Sequence, residues 1–354
     1  MIITRTPLRI SFFGGGTDYP AWYREHGGAV LATTINKYCY INCRYQPPFF
    51  ESRYRIAYRK IELCRSIEEI QHPSVRACLP YANVREGIEM VYAGDLPANS
   101  GLGSSSTFTV GLLKALYTLQ GRMVSQADLG LKAVHVEQNI IGESVGSQDQ
   151  IMAAHGGLKV VRFGKDISVQ PVIISAARAQ LLQDHLMLFY TGKRRYGSEI
   201  AKDKINNMGK RAQELHRIHA LVDEALGVLS SERDIRDFGR MLDETWQLKR
   251  SLSDKVSTPQ VEELYAKAMV NGAIGGKLLG AGGGGFILLF VPPERHRHVK
   301  AALSPTSQVP FRFDLYGSQV IHFENEDNAI LNTADIEGRL EKEQLAALRS
   351  MAST

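Results

Sequence analysis

Apolar and polar residues alternate over short runs in the first hundred positions, at 2–4, 9–13, 29–35, 38–45, 54–58 and 87–92. A period of two is the mark of a half-buried strand, so this stretch predicts a β-rich layer. The spacing then becomes helical over 104–119 and 125–140, before another strand-like run at 158–163. These elements predict one α+β domain over 1–168, with a Pro-containing stretch at 164–176 as the junction. A second domain is predicted over 169–330. Its pattern reads as a strand at 185–190, amphipathic helices over 198–230, 235–251 and 259–271, and a glycine-rich loop leading into a strand at 286–291. A helix at 294–303 and strands at 309–314 and 319–323 are expected to complete a small sheet layered with helices. In the remaining 331–354, Leu340, Leu345 and Leu348 stand at helical spacing and predict a helical tail.

Composition fits this division, since 354 residues with 44% hydrophobic content are enough for two cores of ordinary size. The longest apolar runs fall far short of the roughly 20 residues that cross a bilayer, so no membrane association is expected. The opening residues 1–5 read as a strand rather than a secretory signal, which places the protein in the cytoplasm. Cys39, Cys43, Cys64 and Cys78 form no CxxC pair and are expected to be buried, reduced thiols. The net charge of +5 is scattered, with no basic tail, so no nucleic-acid partner is expected. A mild positive balance does suit a cleft that handles anionic small molecules.

Candidate chemistry gathers in three glycine-rich loops and one pair of carboxylates. At 97–106, Asn99, Ser100, Gly101, Leu102, Gly103, Ser104, Ser105 and Ser106 lie between a predicted strand and a predicted helix. Glycines there let backbone turn around a ligand, while free N–H groups and the helix dipole favour a phosphate. The same residues would also serve an ordinary Ser-capped turn. This is not a Walker A loop, because the GK[ST] ending is missing. The loop at 277–286 contains GxGxxG, yet it opens a strand and no acidic residue follows at dinucleotide-site spacing. Its four consecutive glycines, among them Gly282, Gly283 and Gly284, predict close approach of backbone to a ligand. The remaining loop, the first in chain order at 13–19, offers Gly15, Gly16, Thr17 and Asp18 either as an Asx-type turn or as a contact to polyol hydroxyls. Glu137 and, twelve positions on, Asp149 can converge, because Gly142 and Gly146 break the chain between them. One carboxylate would suit a metal ion on nucleotide phosphates and the other a hydroxyl nucleophile.

Taken together, these loops resemble the three ordered motifs of the GHMP kinases, over roughly 4–323. The resemblance implies a two-domain α+β fold with a ribosomal-protein-like N-terminal domain, a ferredoxin-like C-terminal domain and an active site in the cleft between them. It implies ATP and Mg²⁺, with Asn99 to Ser106 around the nucleotide phosphates and Ser105 and Glu137 on the metal. Asp149 would be the catalytic base, Arg9 the cation beside it, and Asp18 a ligand of sugar hydroxyls. Gly15 and Gly16 stand where galactokinases carry Glu-His, which disfavours galactose. The first motif, 7–18, is similar to that of the D-glycero-D-manno-heptose 7-phosphate kinase branch, whose small-molecule sugar phosphate needs a cationic pocket. Lys193, Arg194 and Arg195, at a predicted strand-to-helix junction, would supply it by charge and dipole. A kinase of an unphosphorylated, fucose-like sugar and a non-catalytic sugar sensor on the same fold are the alternatives; a homodimer is left open.

Overall fold

A computed structural model describes residues 1–98, 101–192 and 197–324. The first half runs β1 (Ile2–Phe13), α1 (Pro20–His26), β2 (Gly28–Tyr45), β3 (Tyr54–Ala57), β4 (Ile61–Cys64), α2 (Pro73–Tyr81), β5 (Ile88–Gly94), α3 (Ser104–Leu119), α4 (Gln126–His135), α5 (Gln148–His155), β6 (Lys159–Phe163) and β7 (Ser168–Pro171). The second half contributes α6 (Ala176–Asp184), β8 (Leu186–Tyr190), α7 (Gly197–Asn207), α8 (Ala212–Leu229), α9 (Arg236–Ser251), α10 (Pro259–Val270), β9 (Gly275–Leu278), β10 (Phe286–Phe290), α11 (His296–Ala302), β11 (Ser307–Gln308), β12 (Phe313–Asp314) and β13 (Gln319–Phe323). The fold is α+β, as the sequence pattern predicts. None of the described helices is long and apolar enough to cross a membrane.

Nine strands form one sheet whose main path is β13-β1-β2-β5-β3-β4, with β6 and β12 also pairing to the long β2. Along β1 and β2 the antiparallel register shifts between Pro7 and Leu8, where proline cannot donate to the ladder. A four-stranded sheet in the order β11-β8-β10-β9 serves the second half.

The expectation that 319–323 closes the second sheet is not met. β13 pairs antiparallel with β1, from Ile2 opposite Phe323 to Arg5 opposite Gln319, and so returns to the first sheet. The reason is an open edge: without β13 the outer N–H and C=O groups of β1 would lack partners. Alternation along 319–323 reveals a strand but carries no information about which edge it will cover.

The two halves share apolar packing. Leu8, Ile10, Phe12 and Phe13 of β1 are buried in one cluster with Leu188, Phe238, Phe286 and Phe290. Phe238 meets Phe12 edge-on at 5.4 Å and Phe13 at 4.9 Å between ring centroids. Such pairs add about 1 kcal/mol each beyond area burial. They seat α9 directly behind the end of β1, where the first glycine loop begins.

Candidate active site

Arg9 leaves the buried stretch of β1 and grips Asp149, in the first turn of α5, with two parallel hydrogen bonds. Nε donates to Oδ1 and Nη2 to Oδ2, both at 2.7 Å, while Nη1 donates to the Gly101 carbonyl at 2.8 Å. The guanidinium is 4% exposed and the carboxylate 24%, so the pair is rigid on the protein side and open on the cleft side. Gly103 precedes α3 with φ +78°, and a Cβ there would stand 3.3 Å from the Asp149 carboxylate. The N-terminus of α3 therefore abuts the ion pair, and a phosphate held at that positive end of the helix dipole would sit beside Asp149.

The phosphate loop and the C-terminal glycine loop touch backbone to backbone. A Cβ on Gly101 would fall 2.6 Å from the Leu279 carbonyl oxygen, and one on Gly280 would fall 2.4 Å from the Gly101 Cα. Gly282 lies as close to Val256, and the Gly283 N–H donates to the Val256 carbonyl at 2.8 Å. Close approach does explain these glycines, but for Gly280 and Gly282 the approaching group is main chain rather than a ligand. Gly282 and Gly284 line the cleft, whereas Gly283 does not.

The cleft has a volume of about 450 Å³ and brings Arg9, Gly15, Gly16, Asp18, Asp149 and the first turn of α3 to one place. Asp18 is buried, with Oδ1 accepting from the Gly16 N–H and Oδ2 from the Gln148 amide, both at 2.9 Å. Burial pushes its carboxyl above the usual range, the Asp149 charge adds to this, and the Gly16 and Gln148 bonds oppose it. The Gln148 side-chain oxygen and the Ser11 hydroxyl are buried with no hydrogen-bond partner among the described residues, and both residues line the cleft around Gly15. Thr17 is the exception in this loop. Its hydroxyl is taken by main chain, donating to Gly14 at 2.8 Å and accepting from the Ala29 N–H at 3.1 Å. Thr17 does not face the cleft and holds the turn, so its expected contact to substrate is corrected to a structural role.

Glu137 lies in a π-helical turn, Val136–Ile141, that continues α4. Its Oε2 accepts from the Ser106 hydroxyl at 2.8 Å and from the Gln150 amide, while its buried Oε1 has no hydrogen-bond partner among the described residues. Burial raises its carboxyl to about 7, against the opposing pull of the Thr109, Ser106 and Gln150 side chains. Ser105 is exposed and lines the cleft; Ser106, not Ser105, bonds Glu137. A hydroxyl and a carboxylate with one unsatisfied oxygen fit a hard cation that takes its other ligands from phosphate and water. Glu137 itself does not line the cleft, and Leu102 is likewise buried, with its carbonyl accepting from the Arg9 N–H at 3.1 Å. Asn99, Ser100, Lys193, Arg194 and Arg195 lie outside the described residues.

Sequence reasoning missed three cations. Lys204 of α7, Lys249 of α9 and Lys277 of β9 all line the cleft and are all buried. Burial lowers Lys204 to about 8 and Lys277 to about 7, and it holds Lys249 well below its ordinary value. Only Lys277 had a readable signal, as the charge that opens the third glycine loop. Ser11 and Gln148 stand inside the 6–19 and 146–150 segments, but nothing in their spacing marks them out for a role.

The chain matches the family model for the GHMP kinases N terminal domain over 65–157 and that for GHMP kinases C terminal over 221–305. It is 28% identical to a D-glycero-alpha-D-manno-heptose 7-phosphate kinase of Campylobacter jejuni, across 85% of this chain and 93% of that one. It is 25% identical to a galactokinase of Pyrococcus furiosus, across 85% and 92%. Among solved structures, a D-glycero-D-manno-heptose 1-phosphate kinase from Bacteroides thetaiotaomicron superposes with a TM-score of 0.75 at 24% identity, covering 92% of this chain and all of that one. Motif order, cleft geometry and these likenesses agree, and the chain belongs to the GHMP kinase family, as a phosphotransferase with an alcohol group as its acceptor.

Proposed function

We propose that this kinase transfers the γ-phosphate of ATP to the anomeric O1 of D-glycero-D-manno-heptose 7-phosphate, a step toward nucleotide-activated heptose for surface polysaccharide. The observation that carries the reading is the position of Asp149. It stands between the N-terminus of α3, a phosphate site, and the polar set of Ser11, Asp18 and Gln148, which suits the hydroxyls of a sugar. Both the C. jejuni relative and the B. thetaiotaomicron structure are heptose phosphate kinases by name.

In this reading the loop around Gly101, Gly103, Ser104, Ser105 and Ser106 holds the triphosphate. Asp149 accepts the proton of the sugar hydroxyl, whose oxygen attacks the γ-phosphorus as the bond to the β-bridging oxygen breaks and ADP departs. Arg9 fixes the carboxylate and adds positive charge beside the transferred group. Glu137, with Ser105 or Ser106, would hold Mg²⁺, which neutralises phosphate charge when bound.

A panel of heptose 7-phosphate, fucose, galactose and mevalonate, incubated with ATP and read by phosphorus NMR, tests the assignment. A new anomeric phosphate signal from the heptose phosphate is expected. Turnover of free fucose instead would move the assignment to the unphosphorylated-sugar branch, and no turnover of any acceptor would remove the sugar reading.

A further inference from the structure

Three lysines from three separate elements turn into the cleft, and their arrangement is costly unless something answers their charge. Lys204 and Lys249 are 6% exposed and Lys277 is 3% exposed. None of them takes part in an ion pair among the described residues, and the nearby carboxylate that offsets each is the same one, Asp18. A buried cation without a counter-charge is strongly disfavoured. Fully protonated, three of them around one carboxylate would carry an excess of two positive charges, and their lowered values are the cost of lacking an anion to answer it.

The ammonium groups are also aimed. Lys249 Nζ donates to the Leu278 carbonyl at 2.6 Å and the Gly280 carbonyl at 2.7 Å, and Lys277 Nζ donates to the Phe12 carbonyl at 2.7 Å. Each ammonium has three donors, so one proton remains on Lys249 and two on Lys277. Lys204 has no hydrogen bond among the described residues, which leaves all three of its protons. Arg9, by contrast, is committed to Asp149 and Gly101. Free donors and excess charge thus coincide at the lysines, next to the polar set around Asp18.

Resting on the reading of a sugar-phosphate acceptor, we infer that Lys204, Lys249 and Lys277 form an anion subsite for the phosphate that the sugar already carries. A dianionic phosphate matches the excess charge, whereas a carboxylate would leave half of it unanswered. The lowered lysine values add a signature: binding of the dianion restores full protonation, so protons are taken up from solution.

The test uses inorganic phosphate as the probe, titrated calorimetrically into protein saturated with a non-hydrolysable ATP analogue, in two buffers of different ionisation enthalpy. Wild type should bind phosphate with net proton uptake, and Lys204→Met should weaken binding at least tenfold while leaving the affinity for the analogue unchanged. Lys204 is the residue of choice because its replacement breaks no hydrogen bond to main chain, and Lys277→Met gives a second, independent reading. In turnover, Lys204→Met should raise the heptose 7-phosphate KM 10- to 100-fold, whereas Arg195→Ala should change it less. Equal phosphate affinity in wild type and Lys204→Met would overturn the subsite, as would loss of phosphate binding once the nucleotide analogue is present, which would assign the lysines to ATP. Failure of the acceptor panel with phosphate binding intact would instead strike the sugar-phosphate reading alone.

Discussion

Arg9 and Asp149 stand 140 residues apart in sequence and meet through two hydrogen bonds of 2.7 Å, one to each carboxylate oxygen. Fork and carboxylate match, so the acceptor oxygen of Asp149 is held in one orientation before substrate arrives. Lysine has no such fork. Asp149→Asn should lower kcat about 10²- to 10⁴-fold, the usual size of a general-base contribution, with little change in the KM for ATP. Arg9→Lys should lower kcat as well, and full activity in steady-state assays of either variant would contradict the assignment.

Glu137 gives a pH dependence with a definite sign. Its folded value of about 7 lies above the roughly 4.3 of an unfolded glutamate, so between the two the folded state keeps a proton that the unfolded state has lost. Stability of the metal-free protein should fall as pH rises through that window. Glu137→Gln should remove the slope and make the metal-free protein more stable at pH 8 by up to about 3 kcal/mol. Urea unfolding at several pH values, with and without Mg²⁺, measures this, and the variant should no longer gain stability from the cation.

The contact between Gly101 and Gly280 predicts a steric penalty. Gly101→Ala needs φ near +88° and places a Cβ 2.6 Å from the Leu279 oxygen, so it should cost about 2–4 kcal/mol and weaken nucleotide binding. Gly142→Ala, with φ +78° but open space around it, should cost only about 1 kcal/mol. Thermal unfolding of both variants separates backbone strain from the clash.

Gly146 probes the sugar side. A Cβ there would stand 1.9 Å from Oδ2 of Asp18, so Gly146→Ala must displace that carboxylate. The sugar KM should rise tenfold or more while the ATP KM stays within about twofold, a loss of roughly 1.4 kcal/mol or more in acceptor binding alone.

The lysines give a pH dependence of the same sign, read in binding rather than in stability. Because Lys277 and Lys204 lose their protons near 7 and 8 in the folded protein, affinity for a phosphorylated acceptor should decline as pH rises from 7 to 9. Initial-rate KM values across that range check the trend, and the Lys204→Met variant should show a shallower one.

Most of the site could be read from the sequence where chemistry and local geometry coincide. Glycines beside serines before a helix announce a phosphate site, and Asp149 follows a chain break that frees it to point inward. What escaped depends on long-range packing. Nothing in 319–323 tells that β13 will cover the edge of β1, nor in Thr17 that Gly14 and Ala29 will consume its hydroxyl. Lys204 and Lys249 lie on amphipathic helices where a lysine ordinarily marks the solvated face. Only the packing of the folded chain, which buries both and sets them along the cleft, turns them inward. The glycine run from 282 predicts close approach, but the sequence does not say that at Gly282 the visitor is the protein's own backbone.

The edge-on packing of Phe12 and Phe13 against Phe238 has a mechanical consequence. Because the walls on either side of the reaction centre are bolted through one apolar layer, they cannot swing apart as separate jaws without exposing that layer to water. Any opening of the cleft by rigid separation of the two halves would therefore carry the cost of wetting Phe12, Phe13 and Phe238.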